Sequence, residues 1–335
     1  MKLFGRKEKS TGEILAGGEN AIANKEVEGL SQGQIVRRRF FRHRAAVIAL
    51  VILSSIILFV ITALDTKIGP VRIPGWWKWN VEDIPELRFD DCPGGTTGCP
   101  TLSINPGSHF GLGTHPFGQD DIGRDYFALV MNGARRSLMI MFVIGAVSGF
   151  IGVVVGSIAG FYGKRVDAVL MRLVDFIQTV PTIIIAAVIG KAAGRVGPLF
   201  LALFLGVLGW TGLARLVRAQ FLSLREMEFV DAARVAGASN IRIAFKHILP
   251  NAIGQIIVSI TLIMAGAILT ETALSYLGFG VVPPDVSLGL LISQYESSFT
   301  TRPWLFWWPG FFIIAIALCV NFIGDGLRDA FDQIG

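Results

Sequence analysis

His109, His115 and His247 are the side chains best suited by ordinary pKa to move protons near neutral pH. None of them stands in a Ser-His-Asp order or beside an obvious nucleophile, and the chain has no HExxH run. They read as hydrogen-bonded loop histidines. A phosphate-cradling loop is also missing. Gly160, Gly163, Lys164 and Arg165 come nearest to GxxxxGK[ST], but they lack the loop length and the hydroxyl that would hold Mg²⁺. The three cysteines have no metal-like spacing. No catalytic residue, metal site or resident cofactor is expected, so the chain should not be an enzyme in the ordinary sense.

Two carboxylates lie where carboxylates are expensive. Glu271 falls within a long apolar run, where a charge at the helix centre costs about 2.5–3.5 kcal/mol on insertion scales. It can hydrogen-bond a neighbouring helix, or it can line a polar path. Asp175 invites the same two readings, with Arg172 as the nearest ion-pair partner. Cys92 and Cys99 flank Gly94, Gly95 and Gly98 in a polar stretch. If that stretch lies outside the cell a disulfide is permitted, and closing so short a loop contributes about 2 kcal/mol.

The segment Glu226–Asn251, EMEFVDAARVAGASNIRIAFKHILPN, is polar and sits between two apolar runs. A connection that long between membrane helices should have a job. Phe229, Ala232, Ala233 and Ala236 recur at helical spacing, and Arg225, Glu228 and Asp231 mark a second face. Gly237 permits a left-handed turn, and Ser239 can cap a second short helix reaching His247. Pro250 suits a first helical turn, where its missing N–H has no intrahelical partner. The expectation is a helix–turn–helix knuckle at a membrane surface.

Composition supplies the setting. Apolar residues form 52% of the 335 and charged residues 16%, which points to a membrane protein rather than a soluble domain. The net charge of +5 is spread over several loops, which suits membrane orientation better than nucleic-acid binding. Residues 1–34 read as a disordered tail. Residues 35–44, IVRRRFFRHR, read as an interfacial helix or a simple basic flank.

The first spanning helix is placed at 45–64, about 30 Å of uncharged helix and too long for a signal peptide. Its arginine-rich start puts the N-terminus in the cytoplasm. Residues 65–135 form an extracytoplasmic loop region, and 136–323 form a core with five more spans. These cover 136–160, 173–190, 196–214, 252–277 and 304–323, and residues 324–335 form a cytoplasmic tail. Gly145, Gly149, Gly152 and Gly156 should allow close helix contact within the second span. Counting crossings puts the knuckle, residues 225–250, on the cytoplasmic side with both termini. Its basic residues agree, whereas Lys191 and Arg195 run against the rule.

The knuckle resembles the EAA motif of ABC importer permeases. Asp231-Ala232-Ala233, Gly237 and Leu249-Pro250 hold the family spacing, with Asp for Glu at 231 and His247 in place of Ile. The ending His247 to Asn251 is similar to that of peptide-type permeases. Residues 115–125 (HPFGQDDIGRD), 133–138, 271–280 (ETALSYLGFG) and 321–332 (NFIGDGLRDAFD) resemble the dipeptide/oligopeptide/nickel branch, in the half with an extra N-terminal helix. The likeness covers about residues 36–332. It departs at Val286-Ser287-Leu288-Gly289, where the family often has Pro-Ser-Trp-Gly, and in the Cys92–Cys99 insert.

The resemblance implies an all-α integral membrane protein with six transmembrane helices, the type I importer fold and a cytoplasmic coupling helix. Glu228, Asp231, Ala232, Ala233, Gly237, His247, Leu249 and Pro250 would contact the ATPase. The implied partners are a second homologous permease, two ATPase subunits or domains that bind ATP and Mg²⁺, an extracytoplasmic peptide-binding protein, a peptide substrate and the lipid bilayer of a prokaryotic plasma membrane. A nickel or glutathione permease on the same scaffold is the alternative. A secondary transporter or channel would call for inverted repeats with broken helices, and Pro181 has no counterpart in the later half.

Overall fold

The structure is a computed structural model that describes residues 32–68, 71–87, 92, 96–102, 113–193 and 196–332. Most of the tail assigned to 1–34, His109, Arg195 and residues 333–335 therefore lie outside the described residues. Among those described, four helices are long and apolar enough to cross a membrane, or up to six if each of two bent pairs forms one span.

The chain begins with α1 (Gln32–Arg42) and α2 (Arg44–Ala63), separated at His43. The ring of His43 caps α2 by accepting from the Ala46 amide at 3.1 Å. A short antiparallel hairpin follows, β1 (Thr66–Ile68) with β2 (Val71–Ile73), so the chain is not helical throughout.

α3 (Tyr126–Tyr162) is the central post. It starts at Tyr126, ten residues before the span placed at 136–160. Asp125 accepts from the Ala128 amide at 2.9 Å, and Tyr126 to Met131 are almost wholly buried, so a capped and packed first turn lengthens the helix. Arg135 and Arg136 are carried inside it, with Arg136 ion-paired to Asp285 at 3.3 Å. The helix stops at Gly163, whose φ of +61° suits glycine.

Next come α4 (Lys164–Thr179) and α5 (Thr182–Ala193), bent by 71° at Pro181. Val180 takes an extended conformation there, as the residue before proline prefers. α6 (Pro198–Leu208) and α7 (Thr211–Leu224) form a second bent pair, at 42°. The span placed at 196–214 thus extends further, and α7 carries Arg215 and Arg218. After α8 (Glu228–Val235) and α9 (Asn240–Arg242), a π-helical turn at Ile243–Ile248 runs straight into α10 (Leu249–Tyr276). α11 (Leu288–Tyr295) is short, and α12 (Trp304–Asp332) takes in most of the segment read as a C-terminal tail.

The glycines of α3 set how closely its neighbours approach. A Cβ at Gly145 would come within 2.4 Å of Met264 on α10. At Gly152 it would meet Leu213 at 2.9 Å, and at Gly156 the Ala214 carbonyl at 2.5 Å, both on α7. Small residues on one face let α3 lie directly against two helices. α4 is tied to α7 by polar pairs instead. Arg218 holds Asp167 through two hydrogen bonds, Arg215 holds Asp175 at 2.5 Å, and Gln178 donates to Thr211 at 2.9 Å.

Candidate functional site

The knuckle is assembled from the ends of α7 and α10. Arg225 closes α7 and sends its Nη1 to the carbonyls of Gly160 and Phe161 at 3.3 and 3.4 Å. A cation there satisfies the exposed carbonyl end of α3 and complements its dipole. Glu228 and Asp231 stand in the first turn of α8 and Arg234 in its last, the arrangement the helix dipole favours. Arg234 pairs with Asp231 at 3.0 Å.

α8 ends in a Schellman turn. The Ala238 amide donates to the Ala233 carbonyl and the Gly237 amide to the Arg234 carbonyl, at 3.0 and 2.9 Å. Gly237 has a φ of +79°, and no heavy atom lies within 4 Å of a Cβ built there. The glycine is needed for its backbone angle, not for space. Ser239 then accepts from the Arg242 amide at 3.4 Å.

The π turn explains the end of the segment. Pro250 has no N–H, and its ring would press on a carbonyl of a regular helix. Widening the preceding turn relieves this, and the Leu249 amide reaches back to the Ala244 carbonyl. Asn251 donates its side-chain amide to the His247 carbonyl at 2.6 Å. Pro250 and Asn251 thus work as a pair at a helix start continuous with α10.

The faces of α8 differ from the sequence reading. Val230 and Ala233 point inward and pack in one cluster with Val217 and Phe221 of α7, Ile243, Ile248, and Ala252 and Ile256 of α10. Phe229, Ala232 and Ala236, read as members of an apolar face, are exposed with Glu228 and Asp231. Val235 is 91% exposed, and Ile241 and Phe245 continue the apolar surface. These last three were missed by the spacing argument, although an apolar residue in a polar membrane-edge loop is itself a signal. Ala233 is a packing residue. Of the other proposed contacts, Gly237 and Pro250 are exposed, while His247 and Leu249 are half-buried.

The two intramembrane acids have separate fates. Glu271 is fully buried and accepts from Ser137 of α3 at 3.1 Å and from Ser275 at 2.8 Å. The Leu288 amide donates to Ser137, and the Val281 amide to Ser275, so one carboxylate gathers α3, α10 and the start of α11. The hydrogen bond to a neighbouring helix, one of the two readings, is therefore made by Ser137 of α3. Asp175 pairs with Arg215 of α7, not with Arg172. Sequence proximity favoured the wrong arginine because α4 and α7 meet only in the fold.

The polar run at 115–125 is a capping device. Asp125 accepts from the Trp77 indole at 2.7 Å, the Ala128 amide at 2.9 Å and the His115 ring at 2.7 Å. His115 is buried and stacks on Trp79, so it is held rather than poised. Asp120 accepts from Arg124 at 2.6 Å and from the Tyr295 hydroxyl at 3.1 Å. Burial and then the Asp120 charge push the Tyr295 phenol well above its ordinary pKa. Cys92 and Cys99 are joined, with Cα atoms 5.5 Å apart. Among the described residues no group of three His, Cys, Asp or Glu is placed to hold a metal.

What this geometry offers is a knuckle with a mixed-charge and apolar outer face, built into two membrane helices. Comparison with known proteins agrees in kind. The family described as "Binding-protein-dependent transport system inner membrane component" matches residues 152–333, and "N-terminal TM domain of oligopeptide transport permease C" matches residues 31–70. The oligopeptide transport system permease protein OppC of Escherichia coli K12 is 38% identical over 314 residues, 94% of this chain and 95% of that one. The OppC protein of Haemophilus influenzae is 36% identical, over 93% of this chain and 91% of its own. That of Mycobacterium tuberculosis H37Rv is 38% identical, over 91% and 96%. A chain of the MetNI methionine ABC transporter in inward-facing conformations gives a TM-score of 0.47 at 21% identity, covering 61% of this chain and 97% of that one.

Proposed function

The chain belongs to the binding-protein-dependent transport system inner membrane component family, and on that footing we propose that it is the permease subunit of an ATP-driven importer of di- and oligopeptides. It forms half of the translocation path, with a second homologous permease forming the other half. Two ATPase subunits or domains bind ATP and Mg²⁺ on the cytoplasmic side, and an extracytoplasmic binding protein delivers the peptide. The N- and C-termini face the cytoplasm, as the arginines before α2 favour.

The observation that carries this reading is the construction of α8. Its inner residues, Val230 and Ala233, are locked to α7 and α10, while Glu228, Phe229, Asp231, Ala232 and Val235 stand outward. A partner gripping the outer face therefore moves two membrane helices together. Hinge-like movement within the knuckle is limited by the Schellman turn at Gly237 and by the Asn251 bond to His247. Closure of the ATPase pair on ATP then becomes helix motion in the permease. The relatives named for oligopeptide transport favour peptides over nickel or glutathione as cargo.

The test is uptake by the complete complex in proteoliposomes, with its binding protein outside and ATP inside. Labelled peptides of two to six residues should accumulate only with ATP. Accumulation of Ni²⁺ or glutathione with no peptide uptake would replace the cargo, and ATP-independent exchange would replace the class.

A further inference from the structure

The first span is preceded by an unusual concentration of charge. Arg37, Arg38, Arg39, Arg42 and Arg44 fall within eight positions, interleaved with Phe40 and Phe41. None of them enters the coupling site, which lies on α8. Their placement is fixed by two structural features. α2 is 20 residues long, about 30 Å, so its first residue Arg44 lies at one edge of the hydrocarbon layer. α1 must then sit at headgroup level.

The second feature is the elbow at His43. Its φ of −79° and ψ of 94° break the helix. Because Nδ1 accepts from the Ala46 amide, the proton sits on Nε2, which faces Asp329 of α12 at 3.3 Å. Val36 and Phe40 of α1 pack in a cluster with Leu327, Ala330 and Phe331 near the end of α12. This anchoring leaves Arg37, Arg38, Arg42 and Arg44 exposed. Phe41 is 56% exposed beside them, as are Ile48 at 59% and Val51 at 59% on α2. Arg39 is half-buried, and its Nη1 is buried without a hydrogen-bond partner among the described residues.

We propose that α1 and the His43 elbow form a binding site for the phosphate headgroups of anionic phospholipids. A guanidinium presents a planar fork of donors that matches two phosphate oxygens. Juxtamembrane arginines are drawn to an anionic leaflet, and long side chains reach from an apolar boundary to its polar edge. Phe41 decides between this and an acidic protein partner. An acidic surface would satisfy the arginines but would leave an apolar ring at headgroup level unexplained, whereas lipid satisfies both. The anchor holds α1 to the membrane and, through Asp329, the end of α12 with it.

The experiment uses the full-length chain in phosphatidylcholine bilayers carrying a trace of photoreactive phosphatidylglycerol or its phosphatidylcholine counterpart. Cross-links are mapped by mass spectrometry to α1 and, as an internal reference, to the exposed Phe311–Leu318 face of α12. Phosphatidylglycerol should exceed phosphatidylcholine at α1 by about fivefold or more, the effect of one favourable arginine, and should show no such excess on α12. Arg37→Gln/Arg39→Gln/Arg42→Gln should cut the α1 ratio severalfold, the remainder being held by Arg38 and Arg44, while the corresponding triple lysine variant keeps most of the excess. Should the glutamine variant lose its α12 labelling through misfolding, the lysine variant decides. Equal labelling by the two lipids in the wild-type chain overturns the proposal. So does removal of the excess by inorganic phosphate at constant ionic strength, which would mark a site for a free anion. Loss of ATPase copurification in the glutamine variant with an unchanged lipid ratio would assign the arginines to a protein partner and overturn it too.

Discussion

The hydroxyl of Tyr126 donates to the carbonyl of Leu305, across the fold from the first turn of α3 to the first turns of α12. Pro309 lies inside α12 and has no N–H to offer the carbonyl four residues before it, which is that of Leu305. A side chain 179 residues away in sequence fills the gap. Tyr126 is fully buried, so this bond joins the N-terminal ends of two long helices in a dry setting.

Replacing Tyr126 with Phe should destabilise the protein by about 1–3 kcal/mol, the penalty for a buried acceptor left alone. Thermal unfolding of the purified chain measures it. The double variant Tyr126→Phe/Pro309→Ala should recover part of the loss, because an alanine in place of the proline restores the intrahelical donor. Additive losses would show that the carbonyl has another acceptable partner.

Glu271 should behave as a clamp. Glu271→Gln keeps an acceptor for one serine and should be mild, whereas Glu271→Leu strands the hydroxyls of Ser137 and Ser275 and should cost about 1–3 kcal/mol each. Melting temperature read beside peptide uptake separates two roles. If Glu271→Gln melts normally but abolishes uptake, the carboxylate serves transport directly.

The bond between Asp167 and Arg218 is partly shielded, with side chains 14% and 33% exposed, and is two-pronged. A double-mutant cycle with Asp167→Asn and Arg218→Gln should give a coupling of about 1 kcal/mol, at the upper end for such pairs. The same cycle on Asp175 and Arg215, which are 57% and 48% exposed, should give less. Equal couplings would contradict the burial argument.

Tyr295 gives the cluster it forms with Asp120 and Arg124 a pH limit. Its pKa is raised in the folded state by burial and by Asp120, so folding favours the neutral phenol. That contribution is complete below about pH 10, the ordinary tyrosine value, and is lost as pH climbs toward the folded value. Stability measured by denaturant titration should fall with rising pH above about pH 10 in the wild type, and more gently in Tyr295→Phe.

Much of the knuckle was legible because its signals are local. Gly237, Ser239 and Pro250 each meet a backbone demand set by their own conformation. The glycines of α3 were legible for a similar reason, since small residues on one face have few other uses in a membrane helix. Long-range partners were not legible. Arg215 lies 40 residues from Asp175, and only the packing of α4 on α7 brings them together. The span placed from 136 missed the first turns of α3, which are held by the Asp125 cap and by partners distant in sequence, Trp77 and Leu305. The orientation of α8 was misread for a deeper reason. In a surface element built to meet a partner, apolar residues lie on both faces, and periodicity alone does not say which face is inside.

The most direct test is Gly237→Val in the complete complex reconstituted with its binding protein. The φ of +79° strains any β-branched residue, while the space around position 237 is open, so the change alters the angle of the knuckle more than its packing. ATP hydrolysis and peptide uptake are measured on the same proteoliposomes. The account predicts that hydrolysis persists while uptake falls at least about tenfold, equivalent to roughly 1.4 kcal/mol of lost coupling. Uptake at the wild-type rate, with hydrolysis unchanged, would contradict the assignment of the knuckle as the coupling element.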